Sequence, residues 1–173
     1  RAVREMNRRL TDGGKWRPQI VIVDEAQKAY MCPKVGPDKK PYGGRKATSR
    51  FFMAAREIHN QGRVVDSLLW QGTQDPTNEN FPEMVREGAH IRGCLAVGTE
   101  AKAAMGVGEK AVDAGAAPHL LRPGLDKGTL VVAGDLSAFG DADPGQSSVT
   151  VRTYFIDHDN AVEIADRAKT LRG

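Results

Sequence analysis

Cysteine is nearly missing from this chain: Cys32 and Cys94 are the only two among 173 residues. They fit neither a metal-ligand spacing nor a disulfide framework, so they read as free thiols of a reducing compartment. Aromatic residues are also sparse, at 6%. No run approaches the ~20 apolar residues that cross a bilayer, and no secretory signal pattern is present. Together these absences point to a cytoplasmic chain. His59, His90, His119 and His158 stand apart with no partners at ligand spacing, which argues against a metal site built from them. No internal repeat is visible. The net charge of +3 permits a polyanionic partner without demanding one. What remains is an ordinary globular composition, 40% hydrophobic and 27% charged, long enough for one good core.

Against that background one run stands out. Ile20-Val21-Ile22-Val23 is four β-branched residues in a row, followed at once by Asp24-Glu25. Such a run predicts a strand buried on both faces, as in a parallel sheet between helices. Ligands of open α/β sheets bind at the carboxyl ends of strands, where these two carboxylates fall. One carboxylate there can hold Mg²⁺ through its water shell, and the other can activate a water for attack on a phosphoryl group. The plainer alternative is that Asp24 caps a helix beginning at Ala26.

Periodicity and turn signals divide the rest of the chain. A first helix spans Arg1 to Leu10, with Val3, Met6 and Leu10 in step, and stops at Asp12-Gly13-Gly14. Because the chain opens on Arg1 inside this pattern, it is expected to be a piece of a longer protein. Strands are predicted at Gln19 to Val23, Ser67 to Gly72, His90 to Val97, Thr129 to Ala133 and Val149 to Ile156, the last two paired across the loop Gly140 to Gln146. Helices are predicted around Phe51, Phe52, Ala55 and Ile58, around Phe81, Met84 and Val85, and over Ala101 to Met105. A closing helix from Asn160 to Leu171 turns Ala161, Ile164, Ala165, Ala168 and Leu171 inward. Early alternation and a late strand pair predict an α/β fold, a mainly parallel sheet between helices with an antiparallel addition near the C-terminus.

Two further features carry chemistry. Gly72-Thr73-Gln74 follows the second strand, and a glutamine there can both donate to and accept from a phosphate or a water; the alternative is a pair of ordinary turn residues. The other is the stretch 31–50, read as a basic loop insertion. From Pro33 to Arg50 it holds Lys34, Lys39, Lys40, Arg45, Lys46 and Arg50 against the single acid Asp38, a net +5 that leaves −2 for the remainder of the chain. Such a loop is either a solvated insertion or a set of phosphate contacts for DNA, with Tyr42 available to pack on sugar or base. The acids Asp135, Asp141 and Asp143 match no calcium-loop spacing and read as a turn.

The order of these features resembles the motor domain of the FtsK/SpoIIIE family of DNA translocases, including actinobacterial TraB-like plasmid-transfer relatives. Glu5-Met6-Asn7-Arg8-Arg9 resembles the family's E-M-x-R-R segment, Ile20 to Glu25 its Walker B strand, and Gly72-Thr73-Gln74 its A-T-Q sensor. Ala89-His90-Ile91-Arg92 resembles its N-x-P-x-R-I segment, and Val149 to Gly173 its closing strand and helix. The resemblance implies that residues 1–173 are the C-terminal part of one RecA-like P-loop motor domain. It implies ATP and Mg²⁺ as cofactors, double-stranded DNA as partner, and a homo-oligomer, a hexamer, in a cytoplasmic protein whose full length has room for a membrane anchor. The roles that follow are Asp24 for Mg²⁺, Glu25 for the attacking water, Thr73 and Gln74 at the nucleotide's phosphates, and Arg92 toward a neighbour's nucleotide.

This sequence departs from the family pattern in several places. Asp75 stands where the family has arginine before proline, and Gly98 to Ala104 lacks the family's arginine. No G-x-x-x-x-G-K-[S/T] occurs anywhere: Tyr42 to Thr48 and Met105 to Lys110 are glycine-bearing but wrongly spaced. The expectation is therefore the hydrolysis half of an ATP site, inactive alone, within a motor for chromosome segregation or plasmid transfer. The competing expectations are a degenerate, non-hydrolysing module that docks DNA or a motor partner, and a different P-loop ATPase such as a conjugation coupling or secretion ATPase.

Overall fold

The computed structural model describes residues 1–137, 143 and 145–171. Two compact units divide it, Arg1–Ile91 and Arg92–Gly173.

The first unit is built around a parallel strand pair. Helix α1 (Ala2–Asp12) leads into β1 (Gln19–Val23), then a short α2 (Ala26–Tyr30), the long connection, α3 (Arg50–Gln61), a 3₁₀ turn (Gly62–Val65), β2 (Ser67–Gln71) and α4 (Glu83–Glu87). β1 and β2 pair in parallel with Gln19 opposite Ser67 and Val23 opposite Gln71. Parallel neighbours need a long crossover, and α2 and α3 lie within it. Gly62 makes the return possible: a Cβ there would sit 2.0 Å from the Ser67 carbonyl oxygen. Two apolar clusters hold the inner face of this pair. Ala26, Tyr30, Phe52, Ala55, Phe81 and Val85 form one, and Met6, Ile58 and Val65 the other; Leu69 packs against both.

The segment resembling E-M-x-R-R has a structural role. Arg9 is buried and donates to Glu5, to the Arg17 carbonyl and to the Val65 carbonyl at 3.0, 3.0 and 3.2 Å. Arg8 and Arg9 also lie over the Trp16 ring. α1 is thereby fastened to the entry of β1 and to the turn before β2. Hydrogen bonds from Arg8 and Arg9 lower the Glu5 carboxyl to about 2.

The second unit contains β3 (Ile91–Cys94, beginning at the unit boundary), α5 (Glu100–Val107), α6 (Glu109–Asp113), a 3₁₀ turn (Pro118–Leu120), β4 (Thr129–Gly134), β5 (Ser148–Arg152) and α7 (His158–Thr170). The strand order is β3-β4-β5, with β4 and β5 antiparallel and Thr129 opposite Arg152. Cys94, Val107, Ala111, Ala116, Val131 and Ala133 form its core. Both cysteines are free thiols.

Three expectations are corrected. β1 is not buried on both faces: Ile20 and Ile22 are 57% and 70% exposed, and their register partners Leu68 and Trp70 are exposed beside them. Only the Val21–Val23 face meets the helices. The closing helix turns no residue inward, because α7 has no buried position. It stands on local chemistry instead, a capping box in which Asp157 accepts from the Asn160 N–H at 2.8 Å. β5 stops at Arg152 because Thr153 turns its N–H and hydroxyl onto the Gly128 carbonyl. Tyr154, Phe155 and Ile156 then leave the sheet fully or largely exposed. α6 was not foreseen. Most of the predicted Gly-Asp-rich loop, with Asp141, lies outside the described residues.

Candidate functional site

The register of β1 and β2 brings the two sequence signals together. Val23 pairs with Gln71, so Asp24-Glu25 and Gly72-Thr73-Gln74 leave the same end of the sheet side by side. The Gly72 N–H donates to the Val23 carbonyl at 3.0 Å, and the Ala26 N–H to the Gly72 carbonyl at 2.8 Å. These bonds lock the turn after β1 to the turn after β2. Across them Gln74 Nε2 reaches Glu25 Oε1 in a long hydrogen bond of 3.4 Å.

Glu25 has φ 49° and ψ 50°, the left-handed region, at the N-cap of α2. A non-glycine residue there costs about 1–2 kcal/mol, and such positions gather at functional sites. Asp24 Oδ1 accepts from the Glu25 N–H at 2.9 Å. No side chain caps α2 itself, so the capping role weighed for Asp24 is not the one it fills. Asp24 is exposed, and its second oxygen is hard, anionic donor chemistry suited to Mg²⁺ held through water. The other Glu25 oxygen pairs with Lys28, one turn into α2. That contact raises the Lys28 ammonium above the ordinary lysine range.

Thr73 is turned away from this group. Its hydroxyl donates to the Asp75 carbonyl at 3.0 Å and accepts from the Asp75 N–H. Asp75 in turn holds the following loop through Thr77 N–H and Asn80 Nδ2, at 3.1 and 2.7 Å. The residue that breaks the family's Arg-Pro pattern thus organises the turn beyond Gln74. Arg92 lies on β3, in the other unit, with its guanidinium against Gly108.

The stretch 31–50 is irregular but anchored. Val35 bridges Pro41, and the Gly43 N–H donates to the Cys32 carbonyl at 3.2 Å. A Cβ on Gly43 would lie 2.6 Å from the Tyr30 carbonyl, so the loop closes tightly on the end of α2. Two of its six cations are engaged. Arg50 pairs with Asp38 at 2.6 Å and covers the Tyr42 ring, and Arg45 donates to the Asn78 carbonyl in the turn beyond Gln74. Lys34, Lys39, Lys40 and Lys46 are exposed and make no ion pair among the described residues.

Sequence reasoning missed Lys28, Tyr30, His59 and Gln71, which surround the site. Gln71 is the one with a usable signal: an amide ends an otherwise apolar strand on its inward face.

No family model matches the chain, and no curated protein matches it. Among solved structures it is similar to one titled "Structure of pCW3 conjugation coupling protein TcpA monomer form with ATPgS", at a TM-score of 0.67 and 15% sequence identity. The match covers 99% of this chain and 46% of that one, so the chain spans about half the length of the protein it resembles. The chain shares the α/β fold of that protein over nearly all its length, with a parallel strand pair and an antiparallel addition.

Proposed function

We propose that this chain is the Walker B and sensor half of an ATP-driven double-stranded DNA translocase, of the kind used in plasmid transfer. The observation that carries the reading is the meeting of Glu25 with Gln74 at the shared end of two parallel strands, beside the exposed Asp24. The likeness to a conjugation coupling protein solved with ATPγS supports the same reading. In it, residues 1–173 form the C-terminal part of one RecA-like domain, and the phosphate cradle comes from residues this sequence does not contain.

Bound ATP with Mg²⁺ supplies the phosphoryl group and the charge that its transfer develops. Asp24 would hold the metal through its water shell. Glu25 accepts the proton of the attacking water, and Gln74 orients that water with an amide that both donates and accepts. Thr73 sets the turn from which Gln74 projects. Arg92 reaches a neighbouring subunit's nucleotide in a homo-hexamer, and the loop 31–50 contacts DNA phosphates. Among the described residues no helix is long and apolar enough to cross a membrane; the proposal places these residues in the cytoplasm, beside whatever anchor the full protein has.

The test is displacement of a DNA-bound oligonucleotide by the complete motor with ATP. Wild type displaces it. Glu25→Gln keeps nucleotide binding and loses turnover by about 10²–10⁴, the usual worth of a general base. DNA binding that ignores nucleotide, with Glu25→Gln indistinguishable from wild type, would instead establish the non-hydrolysing docking module.

A further inference from the structure

Behind the Glu25–Gln74 pair runs a chain of polar side chains, Tyr30 buried and Gln71 and His59 half-buried, that the proposed reaction leaves unused. Tyr30 closes α2, five residues after Glu25, and its hydroxyl donates to Gln71 Oε1 at 2.8 Å. Gln71 ends β2, three residues before Gln74, and its Nε2 lies 3.1 Å from His59 Nε2 on α3. With the amide nitrogen facing the ring, Gln71 donates and His59 Nε2 accepts, which is the arrangement of a neutral ring with its proton on Nδ1. The Gln71 amide thus ties the last residue of α2 to α3, in addition to the bond from the Ala26 N–H to the Gly72 carbonyl, and its orientation is set from behind by His59.

We propose that Gln71 is a positioning residue for the Glu25–Gln74 pair, clamped between Tyr30 and His59, and that protonation of His59 reverses its amide and loosens the clamp. The proposal rests on the ATPase reading above for its consequence, but not for its geometry.

The argument is one of donors and acceptors. A protonated His59 presents an N–H to Gln71, which a second donor cannot meet, so the amide must turn its oxygen toward the ring. Its nitrogen then faces the Tyr30 oxygen, and the Tyr30 proton loses its acceptor on a side chain that is itself buried. Tyr30 cannot escape by ionising, because burial pushes its phenol well above the ordinary range. The alternative arrangement thus leaves a buried hydroxyl unsatisfied, and it disfavours the proton on His59. Burial and the neighbouring His90 act in the same direction on His59. His90 and the Glu87 carboxylate share a cleft with His59 and Asn60, so this ring is the end of the chain that solvent protons reach. Tyr30 and Gln71 form the closed end. α1 meets α3 elsewhere, at Glu57, which accepts from Asn7.

The experiment has two arms. In the first, the His59 ring is titrated by NMR in the protein without nucleotide, in wild type and Tyr30→Phe. The phenylalanine keeps the ring contacts with Phe51 and Phe81 at 4.7 and 5.3 Å but removes the hydroxyl, so the amide turns freely. His59 then titrates about half a pH unit to one pH unit higher, the equivalent of one hydrogen bond regained. An unchanged titration overturns the proposal whether or not the protein is an ATPase. In the second, the acid limb of kcat is compared in the complete motor and in His59→Gln, which accepts from Gln71 and takes no proton. Wild type loses kcat with a midpoint below pH 6.5, KM unchanged, and the variant keeps its rate through that range. Superimposable acid limbs overturn the coupling to the site. Failure of the wild type to hydrolyse ATP at all overturns the ATPase reading and leaves the first arm to judge the clamp.

Discussion

Replacing Lys34, Lys39, Lys40 and Lys46 together by glutamine tests the loop 31–50 as a DNA contact in a way the structure makes quantitative. The choice of four follows from what the other two cations do. Arg50 is held by Asp38 and stacks on Tyr42, and Arg45 holds the Asn78 carbonyl, so both shape the loop and their loss confounds charge with order. The four lysines are exposed, and among the described residues their side chains make no ion pair. Each phosphate contact adds about 0.9 to the slope of log affinity against log salt on duplex DNA. If all four contact phosphate, the slope flattens by about 3.6, and the affinity ratio between variant and wild type changes by about 150-fold from 50 to 200 mM salt. The assay is fluorescence anisotropy on a labelled duplex over that salt range, with circular dichroism to confirm the fold. A weaker affinity with an unchanged slope would refute the reasoning, since a lost phosphate contact must release fewer counterions. An unchanged affinity as well would make the loop a solvated insertion.

Three other predictions follow from the same structure. Mixing Arg92→Ala subunits, intact in Glu25, with Glu25→Gln subunits, intact in Arg92, restores part of the ATPase rate if Arg92 acts across a subunit boundary; full activity of the Arg92→Ala protein alone would give this residue a structural role only. Glu5 is lowered to about 2 when folded, so its contribution is complete above the unfolded carboxyl value near 4.5 and is lost as pH falls toward 2; Glu5→Gln removes that part of the acid dependence of urea unfolding, and an identical acid profile would contradict the ion-pair account. Phe52→Ala costs about 3–5 kcal/mol in urea unfolding, whereas Ile22→Ser stays within about 0.5 kcal/mol because its face is open; a large Ile22 effect would mean that this face is covered in solution.

Element order and the site's location were legible in the sequence because both rest on local signals. Gln19–Val23 was marked by its β-branched run, α1 by its spacing and the glycines that follow, and the pairing of β4 with β5 by their proximity across a turn-rich loop. That Asp24, Glu25 and Gln74 come together was legible because each follows a strand, and parallel strands in register must release their ends together. What was not legible depends on contacts between distant residues. Nothing local to Tyr30, His59 or Gln71 says that three side chains from three elements will meet. Nor does the basic loop reveal that two of its cations are spent on Asp38 and Asn78 while four make no ion pair among the described residues.

Two of the corrections share one cause. β1 reads as buried on both faces because Ile20 and Ile22 are as apolar as Val21 and Val23, and α7 reads as amphipathic because Ala161, Ile164, Ala165, Ala168 and Leu171 recur at helical spacing among polar residues. A sequence pattern records the burial a segment was selected for, wherever the covering atoms come from. Within these residues that cover is missing at both places: Ile20, Ile22, Leu68 and Trp70 form a continuous open face on β1 and β2, and α7 buries nothing. A two-stranded sheet open on one side is a marginal structure by itself, since a strand pair needs further strands or a second packed layer for independent stability. The first unit compensates on its inner face, where two aromatic-rich and aliphatic clusters meet at Leu69, and through the arginines of α1. The Glu25–Gln74 geometry is therefore supported from one side only, by α2, α3 and the Tyr30–Gln71–His59 chain. On the proposed function this matters directly, because a general base and a water-orienting amide lose rate with displacements of about 1 Å. The long 3.4 Å contact between them is what a site supported from one side is expected to show.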